Sequence, residues 1–167
     1  MKTALIYYSL DGNCRLVAEM LKEELGADLF SIETVDSKKR TGLSKFVWGG
    51  RMVFTRKEPP LKPLAADLAA YDLLILGAPV WAGSPAPPMM SFLTQTAFPA
   101  QKRFALFCCH MGGMGKALET FKSRLAEHEI VSAKDFISPE KQEAENVRAS
   151  VKEWALALKT RNCAEIT

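Results

Sequence analysis

Three short segments of this chain hold residue types able to grip a ligand. The first is Ser9-Leu10-Asp11-Gly12-Asn13-Cys14, which follows the apolar run Thr3-Ala4-Leu5-Ile6-Tyr7-Tyr8 and leads into a helical pattern at Leu16, Val17, Met20, Leu21 and Leu25. A buried strand that turns through a small polar loop into a helix sets backbone N–H groups at the positive end of that helix, where a phosphate is held. The spacing narrows the ligand. No Lys follows Gly12 as a nucleoside triphosphate loop requires, and one glycine does not make the dinucleotide fingerprint. An ordinary N-capped helix after a strand uses the same residue types.

The second segment, Pro79-Val80-Trp81-Ala82-Gly83-Ser84-Pro85-Ala86-Pro87-Pro88, follows the continuous apolar run Leu73-Leu74-Ile75-Leu76-Gly77-Ala78. Such a run marks a parallel strand buried on both faces. A proline-stiffened loop with a Trp at the carboxyl end of such a strand suits a flat ring, because open α/β sheets bind ligands there. The third segment, His110-Met111-Gly112-Gly113-Met114-Gly115-Lys116, follows the strand pattern Phe104 to Cys109. Its three glycines permit the close backbone approach needed where main chain lies against a ligand.

The second segment closely resembles the G-x-P-V-W-x-G-x-P-A-P-P stretch of the flavodoxin family, and the first resembles that family's [ST]-x-T-G-x-T phosphate loop. The resemblance implies one noncovalently bound FMN. Its phosphate would lie on Ser9, Leu10, Asp11, Gly12, Asn13 and Cys14, and its ring against Pro79, Val80, Trp81, Ala82 and Gly83. The other edge of the ring would meet Cys109, His110, Met111, Gly112 and Gly113. Asp11 and Cys14 depart from the pattern, standing where the family has threonines. The carboxylate of Asp11 must turn outward or cap the helix, and Cys14 offers only a weak S–H donor. Arg15 is placed to offset the charge.

His110 near a flavin would bond its pyrimidine edge or stabilise a reduced, anionic ring; a solvent-facing His without a role fits equally. Cys108 and Cys109 point to opposite faces of a strand, so they do not make a metal site and read as buried thiols. The sequence contains no catalytic dyad and no metal-ligand set.

These loops need a scaffold. Strands are expected at Lys2 to Tyr8, Asp28 to Ile32, Leu73 to Ala78, Arg103 to Cys109 and Ile130 to Ile137. Helices are expected at Asn13 to Leu25, Pro63 to Ala70, Ala86 to Thr96, Lys116 to Glu127 and Pro139 to Lys159. Alternation of this kind gives an α/β fold with both faces of a parallel sheet covered. The resemblance specifies a flavodoxin-like three-layer α/β/α sandwich, a five-stranded parallel sheet in the order 2-1-3-4-5. Trp154 lies on the apolar stripe of the last helix and is read as core.

At 167 residues, 48% hydrophobic, the chain fits a single domain spanning 1–167. It opens on a strand rather than a leader, and no apolar run approaches a membrane span, so a cytoplasmic protein with no membrane partner is expected. Four cysteines without framework spacing suit a reducing compartment. One region departs from a minimal flavodoxin, a basic insertion at 35–66. From Lys38 to Lys62 run eight basic side chains against one acid, Glu58, while the rest of the chain has 14 basic and 18 acidic residues. Leu43, Phe46, Val47, Trp48, Met52, Val53 and Phe54 interleave with them. The reading preferred is a docking surface for an acidic redox partner; a lid or a helix covering the sheet edge is the alternative, and nucleic acid is disfavoured. Oligomeric state is not legible.

The expected function is electron transfer through FMN between protein partners. An FMN-dependent NAD(P)H or quinone reductase acting on a small molecule is the first alternative, favoured by the basic charge. A non-catalytic interaction module that has lost FMN is the second.

Overall fold

A computed structural model describes residues 1–35 and 58–163, with side chains through residue 160. The basic, aromatic stretch holding Trp48 and most of the expected docking surface lies outside the described residues.

Strand β1 (Thr3–Tyr7) is buried at every position and pairs in parallel with β2 (Asp28–Ser31) on one side and β3 (Leu73–Trp81) on the other. β5 (Arg103–His110) pairs with β3, and β6 (Glu129–Ile137) pairs with β5, so the parallel strands run β2-β1-β3-β5-β6. In chain order of the parallel strands this is the expected 2-1-3-4-5. A two-residue strand, β4 (Ser84–Pro85), turns back antiparallel on the end of β3.

Helices cover both faces because alternate residues of the central strands are apolar on each side. Helices α1 (Asn13–Leu25) and α4 (Ala144–Cys163) share one core with Leu5, Ile75, Ala105 and Phe107. Helices α2 (Pro87–Gln95) and α3 (Ala117–Arg124) share the other with Ile6, Leu74, Leu76 and Leu106. Trp154 is 5% exposed, its indole N–H donating to Ser132 Oγ at 2.8 Å, and it is a core residue as read. Among the described residues no helix is long and apolar enough to cross a membrane.

Three sequence expectations are corrected. The helix expected over Pro63 to Ala70 is a single 3-10 turn, Leu68–Ala70, capped by Asp67, whose carboxylate accepts from Ala69 N–H at 3.0 Å. The residues before it are extended: Thr34 bridges Leu61, Val35 N–H donates to Pro60, and Lys62 N–H to Glu33. Pro59, Pro60 and Pro63 favour that extended backbone over a helix. The last helix starts at Ala144 rather than Pro139, because Ser138 is left-handed (φ 42) and Pro139–Lys141 forms a separate 3-10 turn. β3 runs past Ala78 to Trp81, since the proline-rich loop continues as one arm of a hairpin.

Gly77 on β3 faces the ring of Phe107 on β5, where a Cβ would fall 2.0 Å from the ring's Cζ. That ring also meets Phe136 and Trp154 edge-on, at centroid distances of 6.2 and 6.3 Å, so it has little room to retreat. Gly77→Ala is therefore expected to overpack the core and lower stability by about 1–3 kcal/mol in urea unfolding. The added change Phe107→Leu should remove the clash, giving a double variant more stable than the sum of the single effects allows.

Candidate functional site

The first turn of α1 presents backbone N–H groups at a helix N-terminus, the arrangement expected for a phosphate. Gly12 caps the helix with left-handed backbone (φ 90, ψ −27) and makes no side-chain cap, which fits its lack of a Cβ. Asn13 and Cys14 occupy the first two helical positions, whose N–H groups have no intrahelical acceptor by geometry. Arg15 N–H is taken by Ser9 Oγ at 3.3 Å, so the family-type hydroxyl at Ser9 reaches the helix end. Asp11 is exposed, as one of its two expected arrangements requires. Arg15 is exposed too, paired with Glu19 at 2.7 Å.

Cys14 corrects an expectation. Its thiol does not face the turn: it is wholly buried, hydrogen-bonded to Cys109 on β5, and burial first and that neighbour second push it well above the ordinary thiol range. Burial likewise drives Cys108 upward. Only the backbone of Cys14 remains available to a phosphate.

After β3 the chain makes a two-residue hairpin with positive φ at both central residues, Ala82 (φ 47) and Gly83 (φ 77), the primed turn that suits twisted strands. Left-handed backbone costs an L-residue such as Ala82 about 1–2 kcal/mol, which the flanking β3–β4 pairing and helix α2 must outweigh. Trp81 stands half-buried at the hairpin's base with its ring 5.9 Å from that of Tyr8 at 81°. Tyr8 N–H donates to Gly77 O at 2.9 Å, joining the loop after β1 to β3.

The same hairpin touches the loop after β5. Gly83 O accepts from Lys116 N–H at 2.9 Å, and a Cβ on Gly115 (φ 54) would lie 2.5 Å from Gly83 Cα. Two glycine backbones thus pack directly on each other.

His110 is not the solvent-facing residue that was one of its two readings. It is 8% exposed; its Nδ1 accepts from Gly112 N–H at 3.1 Å while Nε2 lies 3.0 Å from Asp135 Oδ2. Both ring nitrogens are thus engaged by the protein itself. Its backbone carbonyl accepts from Ser138 N–H. The imidazole is a strut that shapes the loop, and Met111, Gly112 and Gly113 are left exposed at its tip.

The fold therefore gathers the three segments at the carboxyl ends of β1, β3 and β5. Pro79, Val80, Trp81, Ala82 and Gly83 lie centrally; Ser9 to Asn13 flank them on one side and Met111 to Gly113 on the other. Cys14 and Cys109 turn their side chains into the core. Tyr8, Gly115, Asp135 and Glu140 were not singled out from sequence. Gly115 was the most findable, as the third glycine of its loop. Among the described residues no group of His, Cys, Asp and Glu could hold a metal ion.

An open parallel sheet in this strand order, with a helix N-terminus and an aromatic hairpin at its switch point, defines the flavodoxin-like class. A family model described as NADPH-dependent FMN reductase matches residues 1–143. The chain belongs to that family, and it is an FMN-binding flavoprotein. No curated protein matches it. Among solved structures, it is similar to a flavoprotein in complex with FMN from Lactobacillus acidophilus, with 22% identity, TM-score 0.67, and 80% of this chain and 92% of that chain covered. It is also similar to oxidised Flavodoxin 2 from Bacillus cereus (19% identity, TM-score 0.62, 96% and 99% covered). A flavodoxin, WrbA-like protein from Agrobacterium tumefaciens gives 20% identity, TM-score 0.63 and coverage of 95% and 98%.

The glycine contact should matter to the ligand. Gly115→Ala must separate the loops, and FMN affinity measured by fluorescence titration is expected to fall at least about tenfold, or about 1.4 kcal/mol. The thiols make a separate expectation. Cys14 and Cys108 keep their protons in the fold while unfolded thiols ionise around a pKa of about 8.5, beginning at about pH 8. The unfolded state then loses protons first, so stability, full below that pH, declines as pH rises above it. Urea midpoints should drop between about pH 8 and about pH 10, and less steeply in Cys108→Ala.

Proposed function

We propose that the protein is an FMN-dependent oxidoreductase that draws electrons from a reduced nicotinamide nucleotide and delivers them to a small acceptor such as a quinone or a second flavin. The observation that carries this is the family match over residues 1–143, a span that contains all three loops. The exposure of Ala82, Met111, Gly112 and Gly113 supports it, because a small molecule needs open access to the ring. So does a chain of net charge +3, which repels neither anionic nicotinamide nucleotides nor acidic substrates.

In this reading the backbone N–H groups from Leu10 to Cys14 and the Ser9 hydroxyl hold the phosphate. Val80, Trp81, Ala82 and Gly83 border the ring, with Tyr8 fixing the tilt of Trp81. The backbone from Cys109 to Gly113 lines the opposite edge, held in shape by His110 and Asp135. FMN, when bound, supplies two-electron chemistry and can release electrons singly or in pairs. The protein contributes binding, orientation and exclusion of water, and no side chain is assigned as a proton donor. We place the activity in the cytoplasm, where thiols and nicotinamide nucleotides are kept reduced.

The carrier reading, with an acidic protein partner on Lys38–Lys62, takes second place because its support is likeness of fold, which flavin carriers and reductases share. The module without FMN is set aside by the family.

Anaerobic addition of NADPH, then NADH, to the FMN-loaded protein tests the choice. Rapid loss of the flavin band at about 450 nm, reversed by a quinone, is expected. Bleaching by dithionite but by neither nucleotide would return the protein to the carrier reading.

A further inference from the structure

Glu140 lies in the turn Pro139–Lys141 after β6, far along the chain from the anion-binding turn and in contact with it. Its backbone N–H donates to Asn13 Oδ1 at 3.1 Å, which ties this turn to the first residue of α1. Its carboxylate lies against Gly12: a Cβ on that glycine would fall 1.8 Å from Oε1 and 2.7 Å from Cδ. Glu140 is exposed, so the carboxylate beside this corner is the far end of a flexible side chain whose backbone alone is tied to Asn13. The neighbouring charges are Asp11, Lys141 on Glu140's own turn, and Arg15, which is bound to Glu19 at 2.7 Å.

We propose that Glu140 is a specificity-determining residue that weakens the hold on the terminal phosphate, so that the protein discriminates poorly between FMN and riboflavin and exchanges its flavin readily. The proposal rests on the reading that the phosphate lies on the Ser9 to Cys14 turn. A phosphate dianion at that turn gains from the helix amides and is repelled by a carboxylate whose backbone anchors it within reach of the same corner. Affinity then comes mainly from the ring contacts at Trp81 and the glycine loops, which both flavins make alike. A flavin held this way behaves as a diffusible ligand rather than a permanent group.

The test is the dissociation constants of FMN and riboflavin, by fluorescence quenching, for the wild type, Glu140→Gln and Glu140→Lys. Gln keeps the shape and the backbone bond to Asn13. We expect the wild type to bind the two flavins within about tenfold of each other. Glu140→Gln should tighten FMN about tenfold and leave riboflavin unchanged, with a larger effect of the same sign in Glu140→Lys. A merely structural Glu140 would shift both flavins together or alter only thermal stability, and that result overturns the proposal. An unchanged or weakened FMN constant in both variants overturns it too. A wild type that binds FMN tightly with an unmoved FMN-to-riboflavin ratio in the variants defeats this proposal alone. A wild type that binds neither flavin defeats the reading beneath it.

Discussion

The parallel pairing of β1 with β3 is the constraint on which the rest of the molecule depends. The chain leaves β1 for β2 on one side and returns to β3 on the other, so the loops after β1 and β3 diverge and open a crevice between them. Burial drives it: Leu5, Ile6, Leu74, Ile75 and Leu76 are all fully buried. Each strand is apolar on both faces and stable only with helices on both. Once that sandwich forms, the end of the sheet where a ligand can sit is decided.

What closes the crevice into a site is backbone, not side chain. Gly83 and Gly115 pack main chain on main chain, and Gly12 turns the corner into α1 with a conformation other residues rarely adopt. The cost of these conformations is met by the strands and helices around them, which are rigid and already buried. His110 and Asp135 add a second fixed point, because an imidazole engaged by Gly112 N–H on one side and Asp135 on the other braces the loop after β5. A site of this construction positions a flat cofactor well and leaves the chemistry to it.

Electrostatics at the start of α1 run against its geometry. The helix start offers amides, whereas Glu140 brings a carboxylate to the same corner and Asp11 exposes another. A protein that keeps one flavin through many electron transfers gains from cations there. One that exchanges flavin, or treats it as a substrate, gains from a weaker grip.

Much of this was written in local pattern. The apolar runs at β1, β3 and β5, the strand order implied by resemblance, the Trp81 loop and the glycine-rich loop after β5 were all legible, because burial on two faces and turn chemistry leave marks on consecutive residues. The helix expected at Pro63 to Ala70 failed where prolines and a bridge from Thr34 to Leu61 prevailed over apolar spacing. The sequence by itself determined the class of fold, where the three loops fall along the chain and the buried character of Cys108 and Cys109. Tertiary structure alone decided that Cys14 turns inward to Cys109, that His110 braces its loop through Gly112 and Asp135, and that Glu140 meets Gly12 across 128 positions of chain. The physical reason is that periodicity reports only whether a side chain is buried, while its neighbour across the sheet depends on how distant strands and turns come together in space.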